Sequence, residues 1–285
     1  MNKTVKRILF FAILAILLVV FLYSAYKLGA YILESVLTKG DYRDISNLHN
    51  DYTTPRPSIT QPTQTEPGTE ETTPPRDTAP ELVTITHPTT GEQMEILPEF
   101  ADIFLMNTDT VGWISIPGTV IDYPVVQSPY EDDYYLHRDF NKKYNLHGCI
   151  YAREECNVSK PSDNITMYGH RMQDGSMFAQ LINYTKENFY QNNRYIYFDT
   201  LTERHTYEIF AVLKTTATLG EGFSYHKFVD AADESEFNSF VNTCKRMSLF
   251  DTGLTPVYGD KLITLSTCEY SQENGRLVIV AMRVA

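Results

Sequence analysis

The chain has 285 residues, with 24 Lys plus Arg against 36 Asp plus Glu, a formal net charge of −12 and a 42% hydrophobic fraction. That is enough chain and enough apolar content for one or two folded domains, and the acidic balance excludes a nucleic-acid binder that works by neutralising phosphates. Four cysteines in a chain of this length do not make a disulfide scaffold.

Residues 8–26 form an apolar run without a charge, close to the ~20 residues a helix needs to cross a bilayer. Lys3, Lys6 and Arg7 precede it, which predicts a cytoplasmic tail over 1–7 and a chain that lies outside the cell beyond the apolar run. The run exceeds the ~7–15 apolar residues of a cleaved signal peptide, and Ser24-Ala25 is a poor cleavage site. An uncleaved single-pass anchor in the cell membrane is expected over 8–26, followed by a stalk or linker over 27–95. Within the linker, 50–80 is rich in Thr, Pro, Glu and Gln and nearly devoid of large apolar residues. Such a segment cannot bury enough surface to fold, and its prolines extend it. A folded domain is expected over 96–285.

In that domain, Leu97, Phe100, Phe104 and Leu105 have near-helical spacing and predict a short helix. Strand character recurs over 113–116, 120–126, 148–152, 165–168, 195–199, 205–215, 262–267 and 276–284, punctuated by Gly, Pro and Asn. The pattern predicts a mostly β domain, an antiparallel barrel or sandwich. Phe237, Phe240, Val241, Cys244 and Met247 step by three and four, which predicts a helix in the long connection before the last two strands. Asp233 and Glu236 have the spacing of a capping box with Asp as the N-cap. A further helix is expected over 176–182.

The strand over 262–267 ends on Cys268, and the polar loop 269–275 follows. A thiol at a rigid strand end beside a loop mouth suits a nucleophile. Only the thiolate attacks a carbonyl well, so such a thiol needs a base or a lowered pKa. On residue type alone, a buried and inert Cys is the commoner case. Of the seven histidines, His170 stands out because it follows a predicted strand in Tyr168-Gly169-His170; His137, His147, His205 and His226 have no such context. Arg276 opens the last strand after the turn signal Glu273-Asn274-Gly275. It pairs with a surface carboxylate there, or its planar fork donates to an oxyanion or a substrate backbone. Ser266 stands two residues before Cys268 and shares its strand face. Cys244 falls on the apolar face of its helix. Cys149 and Cys156 form a disulfide or stay free, and the reading leans to free. They lack a matching Cys/His pair at zinc-ligand spacing, and Asp122, Asp132 and Asp133 lack the spacing of a calcium loop.

Taken together, Thr264-Leu265-Ser266-Thr267-Cys268, Arg276 and Tyr168-Gly169-His170 resemble the sortases, membrane-anchored cysteine transpeptidases of Gram-positive bacteria. The stretches Val111-Gly112-Trp113-Ile114-Ser115-Ile116, Ile121-Asp122-Tyr123-Pro124-Val125-Val126-Gln127 and Asp133-Tyr134-Tyr135-Leu136 look most like class B, over residues 96–285. The resemblance implies an eight-stranded sortase-type β-barrel, with the helix-bearing connection bordering the substrate groove. It implies Cys268 as nucleophile, His170 as proton donor to the leaving amine, Arg276 as oxyanion or substrate donor, and Ser266 and Thr267 as substrate-binding residues. No metal and no cofactor are expected. The implied partners are secreted surface proteins with a C-terminal sorting motif cut after Thr, and an amine on a lipid-linked peptidoglycan precursor or on a pilin. A secreted cysteine hydrolase would use the same pair with water as acceptor. An idle surface-binding module would keep the barrel and lose the pair.

Overall fold

Helix formers and apolar residues run without a proline from residue 3 to residue 50, and the whole stretch is one helix, α1 (Lys3–Asn50). The computed structural model describes residues 3–52, 81–129, 131–218 and 220–285. The N-terminal part of α1 is long and apolar enough to cross a membrane. Residues 27–50, expected as the start of the stalk or linker, are helical; the first proline, which would stop a helix, is Pro55. The Thr/Pro-rich stretch expected as a stalk lies outside the described residues over 53–80.

The chain forms two compact units, Met1–Arg43 and Asp44–Ala285. The second begins inside α1, well before the expected start at residue 96. In this unit Ser46 Oγ donates to Asp122 Oδ2 at 2.6 Å, and the same carboxylate accepts the Trp113 indole N–H at 2.7 Å. The His49 ring stacks on Trp113 with centroids 4.0 Å apart. A short hairpin, β1 (Val83–Thr86) with β2 (Gln93–Ile96), was not expected from the sequence. After it come a 3-10 turn, Pro98–Phe100, and α2 (Ala101–Met106), which fulfil the helix expected around Phe100 and Phe104.

The eight expected strands all form. They are β3 (Thr110–Ser115), β4 (Asp122–Val126), β5 (Ile150–Ala152), β6 (Asn164–Tyr168), β7 (Tyr195–Thr200), β8 (Thr206–Thr216), β9 (Leu262–Cys268) and β10 (Gly275–Arg283). They close into a barrel in the order β10-β8-β7-β3-β4-β5-β6-β9. Closure leaves no open sheet edge. Every pairing is antiparallel except β4 with β5 and β6 with β9.

Between β6 and β7 the helix expected over 176–182 is instead a 3-10 helix, Ala179–Thr185, followed by α3 (Glu187–Asn192). Gly175 and Met177 take positive φ angles of 82° and 55°, so the chain is still turning where the helix was expected to start. The long β8–β9 connection carries α4 (Glu234–Met247). Asp233 caps it by accepting the Glu236 N–H at 2.9 Å, an arrangement worth ~1 kcal/mol. The Glu236 carboxylate reaches back one residue further than a standard capping box, to the Ala232 N–H. Phe237, Phe240, Val241 and Cys244 are buried against Phe210, Leu213, Phe228, Val278 and Val280. This second apolar cluster fastens the connection to the β8–β10 wall of the barrel.

Candidate active site

Two register relations assemble the site. β6 and β9 run parallel, with Tyr168 beside Ser266. Two residues further along each chain, His170 and Cys268 therefore emerge at the same end of adjacent strands, which lie ~4.8 Å apart. β9 and β10 run antiparallel, with Cys268 directly opposite Arg276. Three neighbouring strands thus deliver an imidazole, a thiol and a guanidinium to one rim of the barrel. All three side chains line a single cleft of about 320 Å³, together with Ser266, Thr267 and Tyr225. The five residues singled out in the sequence are brought together.

The backbone that carries His170 is tied down on both sides. The Gly169 N–H donates to Ser266 O at 3.3 Å, and the Thr267 hydroxyl donates to Gly169 O at 2.8 Å. The Phe178 N–H donates to His170 O at 3.0 Å. Gly169 sits where a Cβ would come within 2.5 Å of Ile150 Cδ1 and 2.7 Å of the Phe178 ring, so only glycine lets β6 approach this closely.

The imidazole has an equally defined place. Its Nε2 lies 2.7 Å from Leu136 O. A carbonyl only accepts, so Nε2 carries a hydrogen, and Nδ1 is the nitrogen left to exchange a proton in the cleft. The His137 ring lies against that of His170, centroids 5.4 Å apart and planes 22° from parallel. Burial holds the pKa of His170 below the ordinary imidazole value; the Leu136 carbonyl opposes this, and His137 and His147 add to it.

Cys268 is half-buried, whereas Cys149, Cys156 and Cys244 are buried, and all four are free thiols. Burial pushes the Cys156 thiol up to about 11 and raises Cys244 still further. Both are thereby kept as inert thiols. Arg276 Nη1 donates to the carbonyls of Gly275 at 3.1 Å and Asn274 at 3.3 Å, which folds the guanidinium back over its own turn. Of the other two arginines near the motif residues, Arg171 lies over the Tyr270 ring at 4.9 Å. Arg283 sits at the far end of β10, its N–H bonded to Lys261 O at 2.8 Å.

Ser266 is buried, and its hydroxyl lies 2.6 Å from the Tyr225 hydroxyl. Burial raises the pKa of the Tyr225 phenol. Tyr225, in the 3-10 turn Tyr225–Lys227, joins the long connection directly to the strand that ends in Cys268. Sequence reasoning missed Tyr225, which has no motif around it, and the Leu136 carbonyl, since a backbone acceptor leaves no trace in residue type. Glu269, next to Cys268, is also buried, and its carboxylate is held by Lys214 Nζ at 3.1 Å and by the Ser271 N–H at 3.0 Å. Among the described residues no group of His, Cys, Asp and Glu is arranged to hold a metal ion.

Comparison with known proteins agrees with this arrangement. The family model described as a sortase domain matches residues 114–284. A sortase B of Staphylococcus aureus is 31% identical over 191 residues, 66% of this chain and 76% of the relative. A sortase B of Listeria monocytogenes is 34% identical over 194 residues, 67% of this chain and 76% of the relative. Among solved structures, a Staphylococcus aureus sortase B–substrate complex superposes with a TM-score of 0.61 at 30% identity, covering 66% of this chain and 86% of that one.

Proposed function

Because this chain belongs to the sortase family, among its class B members, we propose that it cuts a C-terminal sorting signal after a Thr and joins the freed carbonyl to an amine. Membership of the family makes it a transpeptidase; the assignment of steps to residues is our reading. The observation that carries it is the meeting of His170, Cys268 and Arg276 on three adjacent strands at one cleft.

Cys268 gives its thiol proton to His170 Nδ1, and its Sγ bonds to the carbonyl carbon of the Thr as the carbonyl electrons move onto the oxygen. Arg276 offers that oxygen, or the adjoining substrate backbone, its remaining N–H donors. The C–N bond breaks as His170 Nδ1 gives its proton to the departing amine, which leaves a thioester on Cys268. An incoming amine then attacks the thioester carbon and passes a proton to His170 Nδ1. The C–S bond breaks and the thiolate returns. Ser266 and Thr267 line the same cleft and are the substrate-binding residues of this reading, Thr267 by shaping the cleft wall through its tie to Gly169 O rather than by a hydroxyl contact. The steps need no cofactor.

The apolar part of α1 anchors the enzyme as a single-pass protein of the cell membrane, with 1–7 cytoplasmic, 27–95 as linker and the catalytic domain 96–285 outside. There it meets secreted proteins that carry a sorting signal, and an amine on a lipid-linked peptidoglycan precursor or on a pilin. That a Staphylococcus aureus relative is known as a sortase B–substrate complex supports a bound substrate for this chain too.

The test is mass spectrometry of products from the full-length chain in detergent, with a sorting-signal peptide and with or without triglycine. An amide-linked product that requires the added amine, and that disappears in Cys268→Ala, is expected. Cleavage that gives the free acid even under saturating amine makes the protein a hydrolase. Added protease on intact cells is expected to cut between the helix and the barrel; a fully protected barrel reverses the orientation.

A further inference from the structure

His170 is held by two consecutive residues of one 3-10 turn, Tyr134–His137. Leu136 fixes Nε2 through its carbonyl, and His137 lays its ring over the face of the imidazole. The other neighbour of His137 is the exposed Tyr144 ring, at 6.3 Å. The hairpin that returns Tyr144 is closed by its bridge to Arg138 and by the Asn145 N–H on His137 O at 3.1 Å. His137 is exposed, and its ring stands one stacking distance from that of His170.

We propose that His137 is a positioning residue for the transfer reaction, which sets the proton affinity of His170 by placing a second, solvent-fed imidazole against its face. A charge on His137 opposes a charge on His170. With His137 charged, His170 gives up its proton more readily, which favours delivery to the departing amine.

The other groups around His170 do not supply this coupling in the same way. His147 also acts on His170, but it is buried, and its Nε2 lies 3.1 Å from Asp174 on the loop that follows His170. From the turn itself, Arg138 is drawn onto the Tyr134 ring at 4.1 Å. Arg171 is drawn onto Tyr270. From β9 and β10 the facing groups are Cys268 and Arg276, the latter folded onto its own turn. The cleft is also lined by Asp132 and Asp133, which lead into the same turn, and by Arg153, Glu154 and His226. Of these, Asp133 accepts the Tyr151 hydroxyl and Arg153 pairs with Glu155. All are unchanged by a substitution at 137.

The proposal rests on His170 as the acid, but its test is read on the imidazole itself and can fail while transfer by His170 stands. The full-length chain in detergent micelles is labelled with ¹⁵N on its seven histidines, and the His170 ring signals are assigned by their loss in His170→Asn. The titration midpoint of His170 is then compared in the native chain, in His137→Phe, which keeps a flat ring without a charge, and in His137→Asn, which removes both. The expected result is a midpoint raised by about half a pH unit in both variants, the modest size reflecting solvent exposure of His137. The Nε2–H tautomer is expected to persist in His137→Phe. A midpoint unmoved or lowered in His137→Phe overturns the proposal, whatever happens in His137→Asn.

Discussion

Cys268 and Arg276 are direct partners across the antiparallel β9–β10 ladder, so their side chains leave the same face of the sheet with Cβ atoms ~5 Å apart. This relation separates Arg276 from the two other arginines a reader of the sequence would weigh. Arg171 is engaged with Tyr270, and Arg283 lies at the opposite end of β10. Lysine at 276 keeps the charge and loses the planar fork. Arg276→Lys is expected to lower turnover of a fluorescent sorting peptide on the order of 100-fold, the scale of a lost oxyanion donor. Arg171→Lys and Arg283→Lys are expected to stay near native turnover, with all three Tm values unchanged. A collapse in either of the latter, with Arg276→Lys near normal, moves the role.

Thr267 lines the cleft, yet its hydroxyl is spent on Gly169 O. A tie of this kind contributes about 1 kcal/mol to stability, and here it also sets the height of His170 beside the thiol. Thr267→Val is expected to lower Tm and to cut kcat about tenfold through a displaced imidazole, with little change in KM. Thr267→Ser keeps the hydroxyl and is expected to behave as native. A rise in KM alone, with Tm and kcat intact, would instead mark Thr267 as a direct substrate contact.

Thiol labelling discriminates among the four cysteines. Cys268 is the half-buried one; the other three are buried, and burial raises the pKa of Cys156 and Cys244. One equivalent of iodoacetamide on the native chain is expected to modify Cys268 first, with transfer lost in proportion. Cys244→Ala leaves a small void among Phe237, Phe240 and Val241 and is expected to cost on the order of 1 kcal/mol without loss of labelling at Cys268. Peptide mapping that finds Cys149 or Cys156 modified ahead of Cys268 contradicts this order.

Stability is expected to depend on pH through two half-buried imidazoles. His170 and His226 both have pKa values lowered in the folded chain, chiefly by burial. The unfolded chain therefore takes up these protons first as pH falls. Their stabilising contribution is complete above the unfolded value of ~6.5 and is lost as pH falls through it toward the folded values. Thermal melts of the full chain in detergent are expected to show Tm declining from pH 7.5 to pH 5.5, with a shallower decline in His170→Asn. An equal slope in that variant assigns the loss to other groups.

The fold was legible where pattern and burial coincide. The eight strands alternate or run apolar over enough residues to be seen, and α4 carries both its apolar stripe and the Asp233 cap. The β1–β2 hairpin escaped because each strand is four residues long and mostly polar outward, with Thr84, Thr86, Gln93 and Glu95 exposed. The helical continuation of α1 escaped because charges from Lys27 to Asp44 interrupt the apolar run, so the membrane-crossing pattern ends there although no proline stops the helix before Pro55. At the site, His170, Cys268 and Arg276 were legible as side chains in motifs. The parallel register of β6 with β9, the Leu136 acceptor, the His137 stack and the Tyr225–Ser266 contact were not, since each depends on partners distant in sequence or on a backbone atom.

The β6–β9 pairing has a consequence for how the enzyme comes into being. Thr267 and Gly169 are 98 residues apart, and their strands join only when a long loop has closed and the barrel is complete. Contacts of such sequence separation form slowly, because loop entropy is lost before they return any energy. Until that closure the thiol of Cys268 faces Arg276 across its own hairpin but has no imidazole beside it. On the proposed reading the thiol therefore stays unpaired with its acid until the barrel closes, and folding itself is the step that completes the site.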